Sequence, residues 1–364
     1  MNYFPKYDGN IHPDEWINDI KKYYNMWEDN YGGFLSTAKS LINPTIKLPT
    51  EINDLEKLHD MLKKDVTFTV FKNSNKRKLQ SLKYISERDG GDTLKFLSEF
   101  RNLCFNSEIN YIKEQKKYFF KALSDKNFFL TEFCKIMNNV NSMNELIKEF
   151  EKIVMYESNI IRSNSTVALK HVATGKYLTS IEGYCYVTGS KEQLIFAGDS
   201  ELNPNAVWYI DIANRSTSKG STKGKYIFTK SNVTLRHKIS GKSLGICYYD
   251  RDLYPRYPRY QYEYYKSPSN NHTEVSCGGN ECNWSFKHSK LEIHEKYLKS
   301  NDIINLSIKR LYDINGSTQD GQVEFLRSHD IQFTIGNDTL QEVVCHNERL
   351  GGIDEWCIEL IKQA

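Results

Sequence analysis

Val167-Ala168-Leu169-Lys170-His171-Val172-Ala173-Thr174-Gly175-Lys176-Tyr177-Leu178 is echoed by Val233-Thr234-Leu235-Arg236-His237-Lys238-Ile239-Ser240-Gly241-Lys242-Ser243-Leu244 at a constant offset of 66 residues. Each copy alternates apolar and polar residues, breaks at a hydroxyl residue plus glycine, and resumes apolar, which is the pattern of a half-buried β-hairpin. Gly175 and Gly241 supply the positive φ that such a turn requires. Downstream, Trp208, Trp284 and Trp356 each sit in a short apolar stretch, at spacings of 76 and 72 residues. Three similar units, each rich in short strands and each closed by a core tryptophan, predict a β-trefoil, in which no unit buries its apolar face without the other two.

The string Leu-Lys-His-x-x-Thr-Gly-Lys-Tyr-Leu, carried in full by Leu169 to Leu178, resembles the signature of the MIR domain, a β-trefoil of protein O-mannosyltransferases, stromal-derived-factor-2-like proteins and intracellular calcium-release channels. The resemblance covers about residues 156–364. The third unit departs from it: Ile304-Asn305-Leu306-Ser307-Ile308 keeps the strand but has neither the histidine nor the Thr-Gly-Lys turn. Threefold equivalence of a binding site is therefore not expected.

The 364 residues suffice for two domains with cores of their own. With 39% hydrophobic and 26% charged residues and a formal charge of +3, the composition is that of an ordinary globular protein. Residues 1–163 hold 25 Lys and Arg against 23 Asp and Glu, so neither half is a polycation and nucleic acid is not an expected partner. No apolar run is long enough to span a bilayer, and the N-terminus lacks a basic segment followed by an apolar one; the expectation is an intracellular, cytoplasmic protein. The eight scattered cysteines fit free thiols better than a stapled scaffold.

Residues 12–155 read as helices. Pro13-Asp14-Glu15 opens the first, with Trp16, Ile20, Tyr23, Tyr24 and Trp27 along one face. Thr50 is placed to cap a helix striped by Ile52, Leu55, Leu58 and Leu62. Val66 to Phe71 fits a lone strand and a buried helix start equally well, and Leu79, Leu82 and Ile85 suggest a further helix. Gly90-Gly91 breaks the pattern. Leu94, Leu97, Phe100 and Leu103, and then Ile109, Ile112, Phe119, Phe120 and Leu123, mark two more apolar faces. Ser142-Met143-Asn144-Glu145 is a capping box for the last helix. A shift to Ser, Asn and Thr near 156–166 sets the expected boundary: an all-α domain over 1–155 and an all-β trefoil over 156–364. Pro13-x-x-Trp16, Leu79-x-x-Leu82, the double glycine and Leu97-Ser98-Glu99-Phe100 resemble the capsid-like part of retrotransposon Gag proteins. Convergent helical patterning explains the same positions. Gag-like helices followed by a MIR trefoil resemble a set of fungal MIR-domain proteins.

His171 and His237 stand at equivalent positions and are expected to bond backbone beneath their hairpins, which outweighs a role as ligands or acid–base groups. His272, Cys277, Cys282 and His288 are residue types that bind zinc, but their spacing lies at the edge of zinc sites and no metal is expected. The run 247–266 interleaves eight tyrosines with Arg251, Arg256 and Arg259. Tyr254, Arg256, Tyr257, Arg259 and Tyr260 form the expected ligand surface, since rings with cationic neighbours suit sugars, bases or protein contacts. Thr188-Gly189-Ser190-Lys191 matches the place where MIR-type channel domains hold inositol phosphate with Thr-Gly-Arg. Serine replaces the arginine and Lys191 is displaced by one position, which leaves Thr188 and Lys191 as the candidate residues there and does not favour inositol phosphate. No Gly-x-Ser-x-Gly, P-loop, His-Glu-x-x-His or Gly-x-Gly-x-x-Gly string occurs. The expectation is a non-catalytic adaptor without cofactor, whose trefoil binds a glycan or protein and whose helical domain self-associates. The alternatives are a co-opted Gag-type assembly protein and a cryptic glycan-handling enzyme.

Overall fold

A computed structural model describes residues 5–26, 33–124, 127–213, 224–250, 262–287, 297–313, 316–318, 321–335 and 337–364. The chain divides into two compact units, Met1–Ser158 and Asn159–Ala364. The first is helical and the second is built on antiparallel sheet.

The first unit contains α1 (Pro13–Met26), α2 (Phe34–Ser40), α3 (Leu55–Lys64), α4 (Val66–Ser81), α5 (Thr93–Asn106), α6 (Ile112–Ala122), α7 (Asn127–Ile136) and α8 (Met143–Ser158). Trp16 and Ile20 of α1 are fully buried against Leu58 and Leu62 of α3. Trp27 and the side chains of Tyr23 and Tyr24 lie outside the described residues. A second core is aromatic: the Phe119 ring meets Phe96, Phe100, Phe133 and Phe150 at centroid distances of 5.6, 5.0, 5.1 and 4.9 Å.

Several helix limits differ from the sequence reading. Asp54, not Thr50, caps α3, accepting from Lys57 N at 2.7 Å. Val66 to Phe71 is the start of α4, because Asp65 accepts from Thr67 N at 2.8 Å and a carboxylate cap overrides the β-propensity of the alternating residues. Helix α4 stops at Ser81, so Leu82 and Ile85 are not helical. Leu94 is 79% exposed and contributes no core. Ile109 precedes α6. Ser142 receives Glu145 N at 3.2 Å as expected, but the Glu145 carboxylate returns to Asn141 N rather than to Ser142.

The second unit contains β1 (Ser165–His171), β2 (Leu178–Thr179), β3 (Gln193–Leu194), β4 (Phe196–Ala197), β5 (Trp208–Ile212) and β6 (Asn232–His237). There follow β7 (Leu244–Ile246), β8 (Tyr248–Asp250), β9 (Tyr262–Tyr264), β10 (Thr273–Cys277), β11 (Trp284–Lys287) and β12 (Asp302–Lys309). The last are β13 (Tyr312–Asp313), β14 (Gly316–Ser317), β15 (Val323–Ile335), β16 (Asp338–His346) and β17 (Trp356–Lys362).

Six strands pair in a closed ring, β1 with β5, β5 with β6, β6 with β11, β11 with β12, β12 with β17, and β17 back to β1. A ring of this kind leaves no open edge among its members. Three further pairs, β2/β4, β7/β10 and β15/β16, are linked in a second cycle through β3, which directly precedes β4: Gln193 of β3 pairs with Cys277, Thr273 with Cys345, and Gln341 with Ala197. Trp208, Trp284 and Trp356 are fully buried within one apolar cluster. Each indole Nε1 donates to a leucine carbonyl, of Leu178 at 3.0 Å, Leu244 at 2.9 Å and Leu326 at 3.2 Å.

Because each indole fills the core and satisfies a buried leucine carbonyl, Trp284→Ala should cost about 3–5 kcal/mol. A urea melt of the variant that stayed within 1 kcal/mol of the parent, a threshold of about the size of a surface change, would contradict the packing described.

Candidate functional site

The strand register sets a residue opposite each tryptophan: His171 faces Trp356, His237 faces Trp208, and Ile308 faces Trp284. At the first junction the His171 ring bonds Thr174 Oγ1 through Nδ1 and the Ile353 carbonyl through Nε2, both at 2.9 Å. A carbonyl only accepts, so Nε2 carries the proton and Nδ1 takes the threonine hydroxyl. His237 repeats the arrangement with Ser240 Oγ and the Asn205 carbonyl, both at 3.0 Å. The turns close with Gly175 at φ +71° and Gly241 at φ +70°. Both rings lie against their tryptophan, with centroids 5.0 and 5.1 Å apart, and neither reaches solvent. These histidines seal the junctions and have no free face for a substrate.

Of the tyrosine-rich run, Arg251, Tyr254, Arg256, Tyr257, Arg259 and Tyr260 lie outside the described residues. What the structure shows is the pair of strands at its two ends. Strands β8 and β9 and the segment around β13 enclose a groove of about 490 Å³. Tyr249, Tyr262, Tyr264, Tyr265 and Tyr312 line it. The Tyr262 and Tyr312 rings pack tilted at 4.3 Å between centroids, and Tyr248 completes the cluster at 4.6 Å from Tyr312. Glu263, Lys266, Arg310, Asp313 and Gln322 supply polar groups. Arg310 stands over the Tyr264 ring at 4.5 Å and pairs with buried Glu324 at 2.5 Å. Arg310, Tyr312, Asp313 and Gln322 were not among the residues singled out from sequence. Arg310 and Tyr312 reach the groove between Lys309 and Leu311, which do not line it, but Asp313 lines it too, so the sequence carries no strict alternation that would have found them.

The turn at Thr188–Lys191 adjoins this groove through Gly189. Thr188 and Lys191 are exposed, and Lys191 holds φ +60°. The donors of Ser190 are already used: Ser190 N lies 3.3 Å from Glu274 Oε1, and Ser190 Oγ also donates to that carboxylate. A Cβ on Gly189 would come within 2.1 Å of Glu274 Oε2, so only glycine admits the carboxylate here. Burial raises the pKa of Glu274, and the two Ser190 bonds oppose the shift. An internal carboxylate thus occupies the position an external anion would take.

Among the described residues no grouping of three or more His, Cys, Asp and Glu is arranged to hold a metal. Cys277 is buried in β10, its thiol pushed up to about 11 by burial, and Cys345 occupies the matching register position in β16, opposite Leu326 as Cys277 is opposite Leu244. Cys282 stands apart at the mouth of another cavity, and His272 faces Glu348. His288 lies outside the described residues. No described helix is long and apolar enough to cross a membrane.

No known family profile and no curated protein matches the chain. Among solved structures, the SDF2-like protein from Arabidopsis thaliana is similar at 20% identity and a TM-score of 0.40, over 55% of this chain and 94% of that one. The S. cerevisiae protein O-mannosyltransferase Pmt1-Pmt2 complex bound to the sugar donor is similar at 15% identity and a TM-score of 0.39, over 84% of this chain and 42% of that one. The Macrolepiota procera ricin B-like lectin in complex with lactose follows at 13% and 0.29, over 55% and 98%. The Gag-type resemblance of the helical half has no support from these. Likenesses this distant decide nothing, and the chain's own residues carry the functional reading.

Burial lowers the pKa of His171 and His237; the Ile353 and Asn205 carbonyls, with Asp354 near the first ring and Glu182 near the second, pull the other way and are outweighed. Unfolding therefore takes up protons below the ordinary histidine value of about 6.5. The stability owed to the neutral rings is complete above that pH and is lost as pH falls toward the depressed folded values, at up to about 1.4 kcal/mol per pH unit for each ring. Melting of the full chain should drop between pH 7.5 and 5.5. His12 of the helical unit shifts in the same direction, so the double variant His171→Gln, His237→Gln should flatten the slope without abolishing it. An unchanged slope in that variant would show that the two rings are not the titrating groups.

Proposed function

We propose that residues 159–364 form a β-trefoil of the MIR type that works by binding, without catalysis, and that its ligand is a carbohydrate held in the tyrosine groove. The closed six-strand ring, the cyclic pairing of three hairpins and the three matched tryptophans support the fold reading. The observation that carries the ligand reading is the convergence of five tyrosines with Glu263, Lys266, Arg310, Asp313 and Gln322 around one open groove. Flat aromatic faces match the C–H faces of a sugar ring at small entropic cost, because a tyrosine has only two side-chain torsions to fix. Carboxylate, amide and guanidinium groups then hydrogen-bond pairs of hydroxyls and set orientation.

Glycan-array screening of the full chain, followed by calorimetry on the best ligand, tests the reading. Tyr262→Ala and Tyr312→Ala should each weaken that ligand by roughly tenfold or more, equivalent to about 1.4 kcal/mol. Absence of binding to any glycan, or affinity unchanged in both variants, would overturn it.

A further inference from the structure

A second cavity, of about 220 Å³, lies on the other side of the segment 309–312 from the tyrosine groove: Arg310 and Tyr312 line the groove, whereas Lys309 and Leu311 line this cavity. Its position follows from the tryptophan junctions. At Trp356 and Trp208 a histidine reaches the carbonyl three residues before the tryptophan, and a turn hydroxyl, of Thr174 or Ser240, backs it. At Trp284 the facing residue is Ile308, and three residues further on, where the hydroxyl would be, stands Leu311. The corresponding carbonyl, of Glu281, accepts from Ile246 N at 2.9 Å, as the Asn205 carbonyl accepts from Ser180 N at 3.1 Å, but among the described residues no imidazole joins it there. The polar plug that closes two junctions is missing from the third, and Ile308 and Leu311 line the space there.

We propose that this cavity binds a single sugar-sized ring bearing a carboxylate. Ile308, Leu311 and Val323 offer an apolar wall to the C–H face of a ring. The amides of Asn280 and Asn283 each carry a donor and an acceptor, which is what a set of hydroxyls requires, and Asn232, whose Oδ1 accepts from Ser285 Oγ at 2.6 Å, adds its amide N–H groups. Lys287 and Lys309 also line it and supply positive charge for the carboxylate. Among the described lining residues the one acid is Glu281, whose carboxylate accepts from Leu311 N at 2.8 Å and from the Tyr264 hydroxyl. The wall is fixed before any ligand arrives: a Cβ on Gly245 would stand 2.1 Å from the Glu281 carbonyl, so glycine lets the segment carrying Asn280 and Asn283 lie directly on β7. Preorganisation of this kind removes ordering cost from binding. This site is separate from the tyrosine groove and does not depend on the reading given to it.

Saturation-transfer NMR on the full chain with glucuronate and with glucose tests the proposal. Glucuronate should show millimolar binding that weakens with salt, with glucose at least fivefold weaker. Asn283→Ala, at an exposed position, should weaken glucuronate tenfold or more. Ile308→His, which restores the plug, should abolish binding. Tyr262→Ala and Tyr312→Ala should leave it unchanged. No transfer to glucuronate, binding that persists in Asn283→Ala, or loss in the tyrosine variants alone would each overturn the assignment. Should Ile308→His fail to fold, Asn283→Ala decides.

Discussion

The β unit depends on one recurring hydrogen bond, from an indole N–H to the carbonyl of a leucine in a hairpin strand. A tryptophan placed at the centre of an apolar core brings a donor that cannot be left unpaired, and a buried leucine carbonyl is an acceptor with the same difficulty. Each solves the other at Leu178, Leu244 and Leu326. The bond also fixes where the hairpin stands over the ring of strands, since the indole is held by its own strand and the carbonyl by the hairpin. The cyclic pairing of the three hairpins can then close with a consistent register.

What distinguishes the three junctions is how they are finished. Two use a neutral imidazole clamped between a turn hydroxyl and a carbonyl, which makes them dry and sensitive to acid. The third uses Ile308 and diverts polar satisfaction to Glu281, Tyr264 and the backbone of Leu311. The network sits beside two cavities with different linings, one aromatic and one rich in amides. Nearby, Asp354 anchors the hairpin of β15 and β16: burial opposes its charge, but bonds from His346 and Arg327 outweigh that and hold it at about 2.

The tryptophans and the hydroxyl-glycine turns were legible because they are local patterns repeated at long intervals, and a core indole or a positive φ tolerates few substitutes. The helical half shows where such reading fails. Val66 to Phe71 alternates as a strand does, yet the Asp65 carboxylate starts a helix there, and Thr50 looks like a cap while Asp54 does the capping. In both cases one side-chain hydrogen bond outweighs a pattern of propensities worth tenths of a kcal/mol per residue. The groove was half visible. Tyr262, Tyr264 and Tyr265 belong to a conspicuous run, but Arg310, Tyr312 and Gln322 come from a segment some fifty residues later that only tertiary pairing brings near. The second cavity had no signal of its own, because it is defined by a residue that is missing from a pattern.

The carboxylate of Glu274 beneath the Thr188–Lys191 turn has a consequence for selectivity. It is tethered to the same fold as the donors it occupies, so its effective concentration there is on the order of millimolar or above. A free phosphate or carboxylate approaching Ser190 competes with a rival that never diffuses away, and losing that rival would leave a buried charge unpaired. The Ser190 donors are therefore closed to dilute anions by occupancy, without needing a repulsive surface.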